Sequence, residues 1–494
     1  MKFGKQSAPV ADINEDDLDV HKPKREAAGV KAVMVALERA VAQAGVSRTV
    51  HSMLRLNQRG GFDCPGCAWP ESDKKRKTAE FCENGAKAVA EENTLRTVGA
   101  EFWARHSIAE LSGRTEYWLG NQGRLSEPVV IREGDTHYSP ISWADAFELI
   151  GEHIRASTPD RCVFYTSGRT ANETAFMYQL FARALGTNNL PDCSNMCHES
   201  SGSALNLTIG IGKGTVSLDD IHDSELIFVV GQNPGTNHPR MLSALKECKD
   251  NGGKVVAANP LPEAGLFNFK DPQTVSGVVG GGTPLADEYL QIKVGGDLAL
   301  FQALGHLLLA EEERNPGSVV DRSFIDAQTD GFDAYRDARR EPDWTEIEKG
   351  TGLARKQIED VAGMLIRSKA TIFCWALGVT QQPHSVDTIK EMVNVLLLQG
   401  NFGKPGAGPA RSAGTPTSRA TGPWGSGRNP KSGSWSPSTR SSASCLRAIT
   451  ATTLSSRWKP LNATRWTSLS PWAETSHSRA RTRRHWKRAC SGSA

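Results

Sequence analysis

The side chains with the most chemistry to offer are cysteines. Cys197 is followed by His198 in the run Cys193-Ser194-Asn195-Met196-Cys197-His198-Glu199-Ser200-Ser201-Gly202. A thiolate is a soft ligand that binds metals directly. Imidazole changes charge near neutral pH, so His198 reads as a proton acceptor beside the thiolate. Taken alone, the pair reads more readily as a buried thiol and a polar loop histidine. A second group is Cys64-Pro65-Gly66-Cys67, followed by Cys82. A C-x-x-C pair in a Pro/Gly turn sets two thiolates for one metal or for a cluster iron. The alternatives are a zinc site or buried free thiols. Eight of the ten cysteines precede Pro409, and ten in so long a chain do not make a disulfide framework.

These residues need elements to hold them. The apolar run Leu226–Val230 predicts a buried strand. It stops in Gly231-Gln232-Asn233-Pro234-Gly235-Thr236-Asn237-His238-Pro239, and a helix is expected from Met241 to Asn251. Further strands are expected at 162–166, 253–257, 290–294 and 371–375, each leading into a loop and most of these into a helix. A loop at the carboxyl end of a strand is where open α/β sheets hold nucleotides. The candidate loops are Ser167-Gly168-Arg169, the 231–239 run, Asn259 after the third strand, Gly295-Gly296-Asp297, and Gly378 to Gln381. Asp297 reads as the N-cap of its helix, and Cys193–Gly202 reads as a small-residue turn. A flexible loop is expected at 277–283, and a helix at 29–44 in the N-terminal extension.

The order of these segments resembles the molybdopterin-dependent oxidoreductases of the formate dehydrogenase alpha-subunit type, and within them the YdeP-like, acid-resistance-linked branch. The resemblance runs from about Asn57 to Pro409. It implies a multidomain α/β fold with Rossmann-like αβα domains. It also implies bis-molybdopterin guanine dinucleotide, with Cys197 as the molybdenum ligand. The dinucleotides would be held by Ser167, Gly168, Arg169, Gly231, Asn233, Pro234, Gly235, Thr236, His238, Asn259, Gly295, Gly296, Asp297, Gly378 and Gln381. A [4Fe–4S] cluster would use Cys64, Cys67 and Cys82. The family's remaining cysteine falls near Glu71, so this set is one thiolate short. The family's acid near Asn259 is also replaced. The implied activity is two-electron oxidation of formate or another small molecule, with electrons leaving through the cluster to an acceptor protein.

At 494 residues about three domains are expected. The boundaries read as an extension 1–56, a cluster module 57–135, αβα domains 136–409, and a different sequence from 410 to 494. No apolar run approaches a membrane span of about 20 residues. The start lacks an apolar export segment, so a cytoplasmic location and no membrane span are expected. The net charge of +3 hides a split, because fifteen of the 58 Lys/Arg but only one of the 55 acids, Glu474, follow Pro409. That last stretch has no Phe, Tyr, Val, Met, Gln or Asp, yet it holds six of twelve Trp.

One reading of the stretch is a disordered basic tail on a non-catalytic product, sticking to nucleic acid or acidic surfaces with no specific nucleic acid as partner. Another is a molybdenum-free iron–sulfur scaffold. The genetic code suggests a third. Joining the last base of each codon to the first two of the next lets Ser412 onward spell Val-Arg-Gly-His-Ser-Asn-Val-Gln-Gly-Asp-Arg-Thr-Met-Gly. That is the family's next segment, including its active-site arginine. A frameshift at the codon for Ala410, leaving the family's fold C-terminally truncated, is therefore expected.

Overall fold

The structure is a computed structural model that describes residues 22–67, 69–72, 76–167, 170–191 and 193–412, with backbone alone at 193–196. Residues 180–188 group apart from the main body, which takes in the other described residues. Gly168, Arg169 and residues 413–494 lie outside the described set.

The elements that position the site follow in chain order. Helix α1 (Gly29–Met53) runs nine residues past the helix expected from sequence. It passes through Gly45, whose φ of 71° interrupts the helical path. Helix α2 (Glu83–Glu92) packs on α1 through Ala36, Met53, Ala86 and Val89, with Leu56 and Cys64 in the same small core. Helix α3 is Trp143–Ala156 and α4 is Cys193–Thr208. Strand β1 (Leu226–Val230) leads through the short α5 (Pro234–Asn237) into α6 (Pro239–Asp250). Next come β2 (Lys254–Asn259), β3 (Glu288–Gln291), α7 (Asp297–Arg314) and α8 (Arg355–Arg367). The described chain closes with β4 (Thr371–Trp375), α9 (Leu377–Thr380), α10 (Ser385–Leu398) and β5 (Gly408–Arg411).

The five strands form one parallel sheet in the order β5-β4-β1-β2-β3. Every residue of β1 and β4 is buried. Because side chains alternate across a strand, Phe228 and Val230 join Phe373, Phe301 and Leu304 on one face. Ile227 and Val229 join Ile372, Met241 and Leu245 on the other. Both faces are thus covered, which is why these strands read as unbroken apolar runs. The chain leaves β1 toward β2 on one side, while β4 pairs on the other. The sheet's topological switch point therefore lies between β1 and β4.

Several expectations are corrected. Residues 162–166 are not a sheet strand; Phe164 N donates instead to the Asn189 carbonyl at 2.9 Å in an irregular segment. The 193–202 stretch is helix rather than turn, because α4 packs Ala204 and Leu205 against the sheet core. Gly296, not Asp297, is the N-cap of α7, and Asp297 is its buried first residue. Residues 275–279 form a short helix within the expected loop. The strand expected at 290–294 lies instead at Glu288–Gln291. Finally, β5 carries the fold past Pro409, because Ala410 and Arg411 pair with Cys374 and Trp375.

Candidate functional site

The loops that leave β1 and β4 meet backbone to backbone. Gly378 N donates to the Gly231 carbonyl at 3.0 Å. A Cβ on Gly378 would lie 2.4 Å from that oxygen, and Gly231 has a φ of +56°. No other residue type fits such a crossing without moving a loop. The loop after β1 is braced internally. Asn233 Oδ1 accepts from Thr236 N at 3.1 Å, its amide reaches Glu263, and Pro234 is buried. A Cβ on Gly235 would touch Gly265 at 3.2 Å. Asn259 ends β2 and donates to the Gln232 carbonyl at 3.1 Å, so it pins this loop. Gly295, with φ +87°, turns the chain after β3 into α7. Burial raises the Asp297 carboxyl above its usual range, and a hydrogen bond with Gln382 works against that rise.

The thiol–imidazole pair sits beside the same edge. Thr380 Oγ1 donates to the Cys197 carbonyl at 2.7 Å, and Ser200 Oγ donates to the Thr380 carbonyl at 3.1 Å. These bonds tie α4 to α9. Cys197 is half-buried. His198 breaks the helical path with φ −138° and ψ 22° and is 2% exposed. Its Nε2 donates to the Ser412 carbonyl at 2.9 Å. Nδ1 is then an acceptor, and Ser201 Oγ donates to it at 3.1 Å. Trp375 Nε1 in turn donates to Ser201 Oγ at 2.9 Å.

Burial, with the charge of Arg411, pulls the His198 pKa down to about 4. The expectation of an imidazole titrating near working pH is therefore corrected: His198 is a neutral brace with both nitrogens committed. Arg411 is itself largely buried, and its guanidinium interacts with Cys197.

The structure thus gathers Gly231, Asn233, Pro234, Gly235, Thr236, His238, Asn259, Gly295, Gly296, Asp297, Gly378 and Gln381 at the carboxyl edge of one sheet, with Cys197 and His198 alongside. Ser167 lies on the irregular 162–167 segment, outside that sheet. Residues the sequence did not single out include Gln232, Ser201, Thr380 and Arg240. Gln232 Oε1 is buried without a hydrogen-bond partner. An orphaned acceptor beside a glycine crossing at a switch point suits a ligand with N–H groups, as a pterin or guanine has.

The three early cysteines line a separate cavity of about 220 Å³, shared with Asn57, Asn84 and Arg240. Gly66 N donates to Cys64 Sγ at 3.3 Å, and Gly85 N donates to Cys82 Sγ at 3.4 Å. Gly85 is close-packed there, since a Cβ would come within 3.0 Å of Cys64 Sγ. Burial, with the neighbouring thiols, pushes the Cys82 pKa up to about 11. Asn84 Nδ2 donates to the Thr236 carbonyl at 2.7 Å, joining this module to the β1 loop. Three thiols around one cavity, two of them met by a backbone N–H, suit a cluster bound by sulfur. Among the described residues no three His, Cys, Asp or Glu side chains converge on one ion.

A parallel sheet of this order, with its glycine crossing at the switch point and a cysteine held beside it, is an open α/β architecture. The chain belongs to the molybdopterin oxidoreductase family, whose profile matches residues 124–441. It is 61% identical over 400 residues to the uncharacterized oxidoreductase Rv2900c of Mycobacterium tuberculosis, covering 81% of this chain and 51% of that one. It is 42% identical over 385 residues to protein YdeP of Escherichia coli, covering 77% and 50%. Formate dehydrogenase H of Escherichia coli is 30% identical over 291 residues, covering 58% and 38%. Among solved structures, acetylene hydratase from Pelobacter acetylenicus aligns with a TM-score of 0.47 at 19% identity, over 57% of this chain and 36% of that one. The chain spans about half the length of the curated relatives it matches. No helix among the described residues is long and apolar enough to cross a membrane.

Proposed function

We propose that the site serves a molybdenum oxidoreductase carrying bis-molybdopterin guanine dinucleotide, which oxidises formate or a similarly small substrate. Electrons would leave through an iron–sulfur cluster at Cys64, Cys67 and Cys82 to an acceptor protein. The observation that carries this reading is the bond from Thr380 to the Cys197 carbonyl at 2.7 Å, which fixes a half-buried thiol beside the switch-point crevice. Cys197 is the residue to hold molybdenum, and the loops after β1, β2, β3 and β4 are the ones to hold the dinucleotides. When bound, that group supplies the two-electron chemistry. The chain's own part is positional: α9 and His198 orient the start of α4, and the glycine crossing excludes side chains from the cofactor's path. The test is molybdenum content after expression in a host that makes the cofactor. Wild type is expected to carry molybdenum, with Cys197→Ser lowered at least about tenfold. Absence from the wild type would overturn the reading.

A second reading is favoured by the sequence after Pro409. The codon arithmetic restores a family-like segment with its arginine in the shifted frame. Strand pairing of Ala410 and Arg411 uses only backbone atoms, so it accepts either frame's residues. Under this reading the chain as written is a non-catalytic product of a one-base loss. Resequencing the DNA across the codons for Gly408 to Ser412 decides it. If an omitted base appears there, the true product is a much longer oxidoreductase to which residues 410–494 do not belong; if the frame stands as written, the chain lacks the family's arginine and little or no molybdenum-dependent turnover is expected.

A further inference from the structure

The cysteine cavity holds one feature that the proposed cluster leaves unexplained, which is its fourth wall. Three of its walls present sulfur. Cys64 and Cys82 each receive a backbone N–H, and Cys67 shares the cavity with them. Beside them the lining presents Arg240 together with Asn57, Asn84 and Asn237. A guanidinium has no lone pair to give and stays protonated, so it cannot ligate iron. Moreover, it is locked. Arg240 Nη1 meets Glu71 at 3.0 Å and Nη2 meets Glu80 at 2.7 Å, and all three side chains are largely buried. Both of these carboxylates are therefore committed to the arginine.

Of the three amides that line it, Asn57 is committed through both ends of its side chain and Asn84 through its nitrogen. Asn57 accepts from Cys64 N at 2.8 Å and donates to the Glu80 carbonyl at 2.6 Å. Asn84 is engaged with Thr236. Neutral amides are in any case hard, weak partners for iron beside soft thiolates. No fourth cysteine, and no histidine or carboxylate, is among the described residues that line the cavity.

We propose that this cavity binds a [4Fe–4S] cluster through three protein thiolates only, leaving one iron without a protein ligand and open to a small exogenous donor such as water or a low-molecular-weight thiol. The inference rests on the cluster reading above and adds that one corner of the cluster is labile. Arg240 is then a positioning residue. Its charge faces the anionic cluster, while its two ion pairs keep Glu71 and Glu80 off the open iron.

The test is made on the full chain, anaerobically reconstituted with iron and sulfide. Ferricyanide should withdraw one electron from [4Fe–4S]2+ and release one Fe2+, leaving [3Fe–4S]+ with its own electron paramagnetic resonance signal. Ferrous ion plus dithionite should restore the original cluster. Adding 2-mercaptoethanol to the reduced protein should change its spectrum, because the thiol can reach the open iron. Retention of all four irons through oxidation, with a spectrum indifferent to added thiol, would show a fourth protein ligand. That result would overturn the proposal while leaving the cluster reading intact. Failure to bind iron and sulfide at all, or binding of zinc in their place, would instead remove the cluster reading and the proposal with it.

Discussion

At the scale of single residues, the site depends on small groups that do two jobs. Ser201 is fully buried between a histidine and a tryptophan, giving its proton to His198 Nδ1 and receiving one from Trp375 Nε1. Ser201→Ala leaves both ring nitrogens buried and unpaired. The expected loss is about 1–3 kcal/mol for each stranded group, read from urea denaturation. An unchanged midpoint would mean that water replaces the hydroxyl. Gly378 is sensitive for a steric reason. An alanine there would drive its Cβ to 2.4 Å from the Gly231 carbonyl, and the two loops would have to part. Gly378→Ala is expected to cost about 1–3 kcal/mol and to lower retained pterin, measured by fluorescence of the released, oxidised cofactor. A variant as stable and as loaded as wild type would show that the crossing is not needed. His198 illustrates a limit of sequence at this scale. Its type suggests a titrating group, but burial and a carbonyl 214 residues away decide its state, and no local pattern encodes either.

At the scale of elements, legibility followed burial. The runs 226–230 and 371–375 could be read as strands because both faces of the sheet are covered, so every position is apolar. The 193–202 stretch could not be read as helix. Its Ser, Asn and Gly residues have turn propensity, and only packing of Ala204 and Leu205 on the sheet overrides it. Likewise β5 is written Gly-Pro-Ala-Arg, a poor strand former, and pairing offered by β4 supplies what the sequence lacks. The Gly-rich loops and the cysteine spacing were legible because they specify local backbone and ligand geometry. Arg240's role was not, since its partners lie 160 and 169 residues away.

Electrostatics also acts between elements. Asp287, at the entry to β3, accepts from Lys249 Nζ at 2.7 Å and from Val255 N at 2.9 Å, tying α6, β2 and β3 together. Burial opposes its ionisation, but these donors and Lys254 outweigh burial and hold the carboxyl below its usual range. A carboxyl depressed in the folded state contributes stability above its unfolded pKa, near about 3.9, and loses it as pH falls through the lower folded value. Wild type should therefore exceed Asp287→Asn most at neutral pH, with the gap closing as pH falls below about 4. A gap that stays constant across a pH series of urea melts would refute the ionic contribution.

For the molecule as a whole, the uncovered surface is as informative as the core. Helix α3 is well formed, with Ser142 capping it through the Asp145 amide, yet it has no buried residue. Trp143, Phe147 and Ile150 recur at helical spacing and are 61%, 64% and 54% exposed. Val163, Tyr165 and Phe176 in the following segments are exposed too. An amphipathic helix gains stability by packing its apolar stripe, and here the stripe is left exposed among the described residues. The chain also spans about half the length of its curated relatives. If a base is missing after Pro409, the residues encoded in the restored frame are the natural cover. The expected outcome is specific to place. In the chain as written, amides of Trp143–Ala156 should exchange with deuterium at least about tenfold faster than those of α10, whose face is packed in the core. In the product of a gene with one base restored, α3 should slow while α10 stays as it was. Equal protection of α3 in both products would mean that its apolar stripe is covered some other way, and the link between the lost frame and the bare helix would fail.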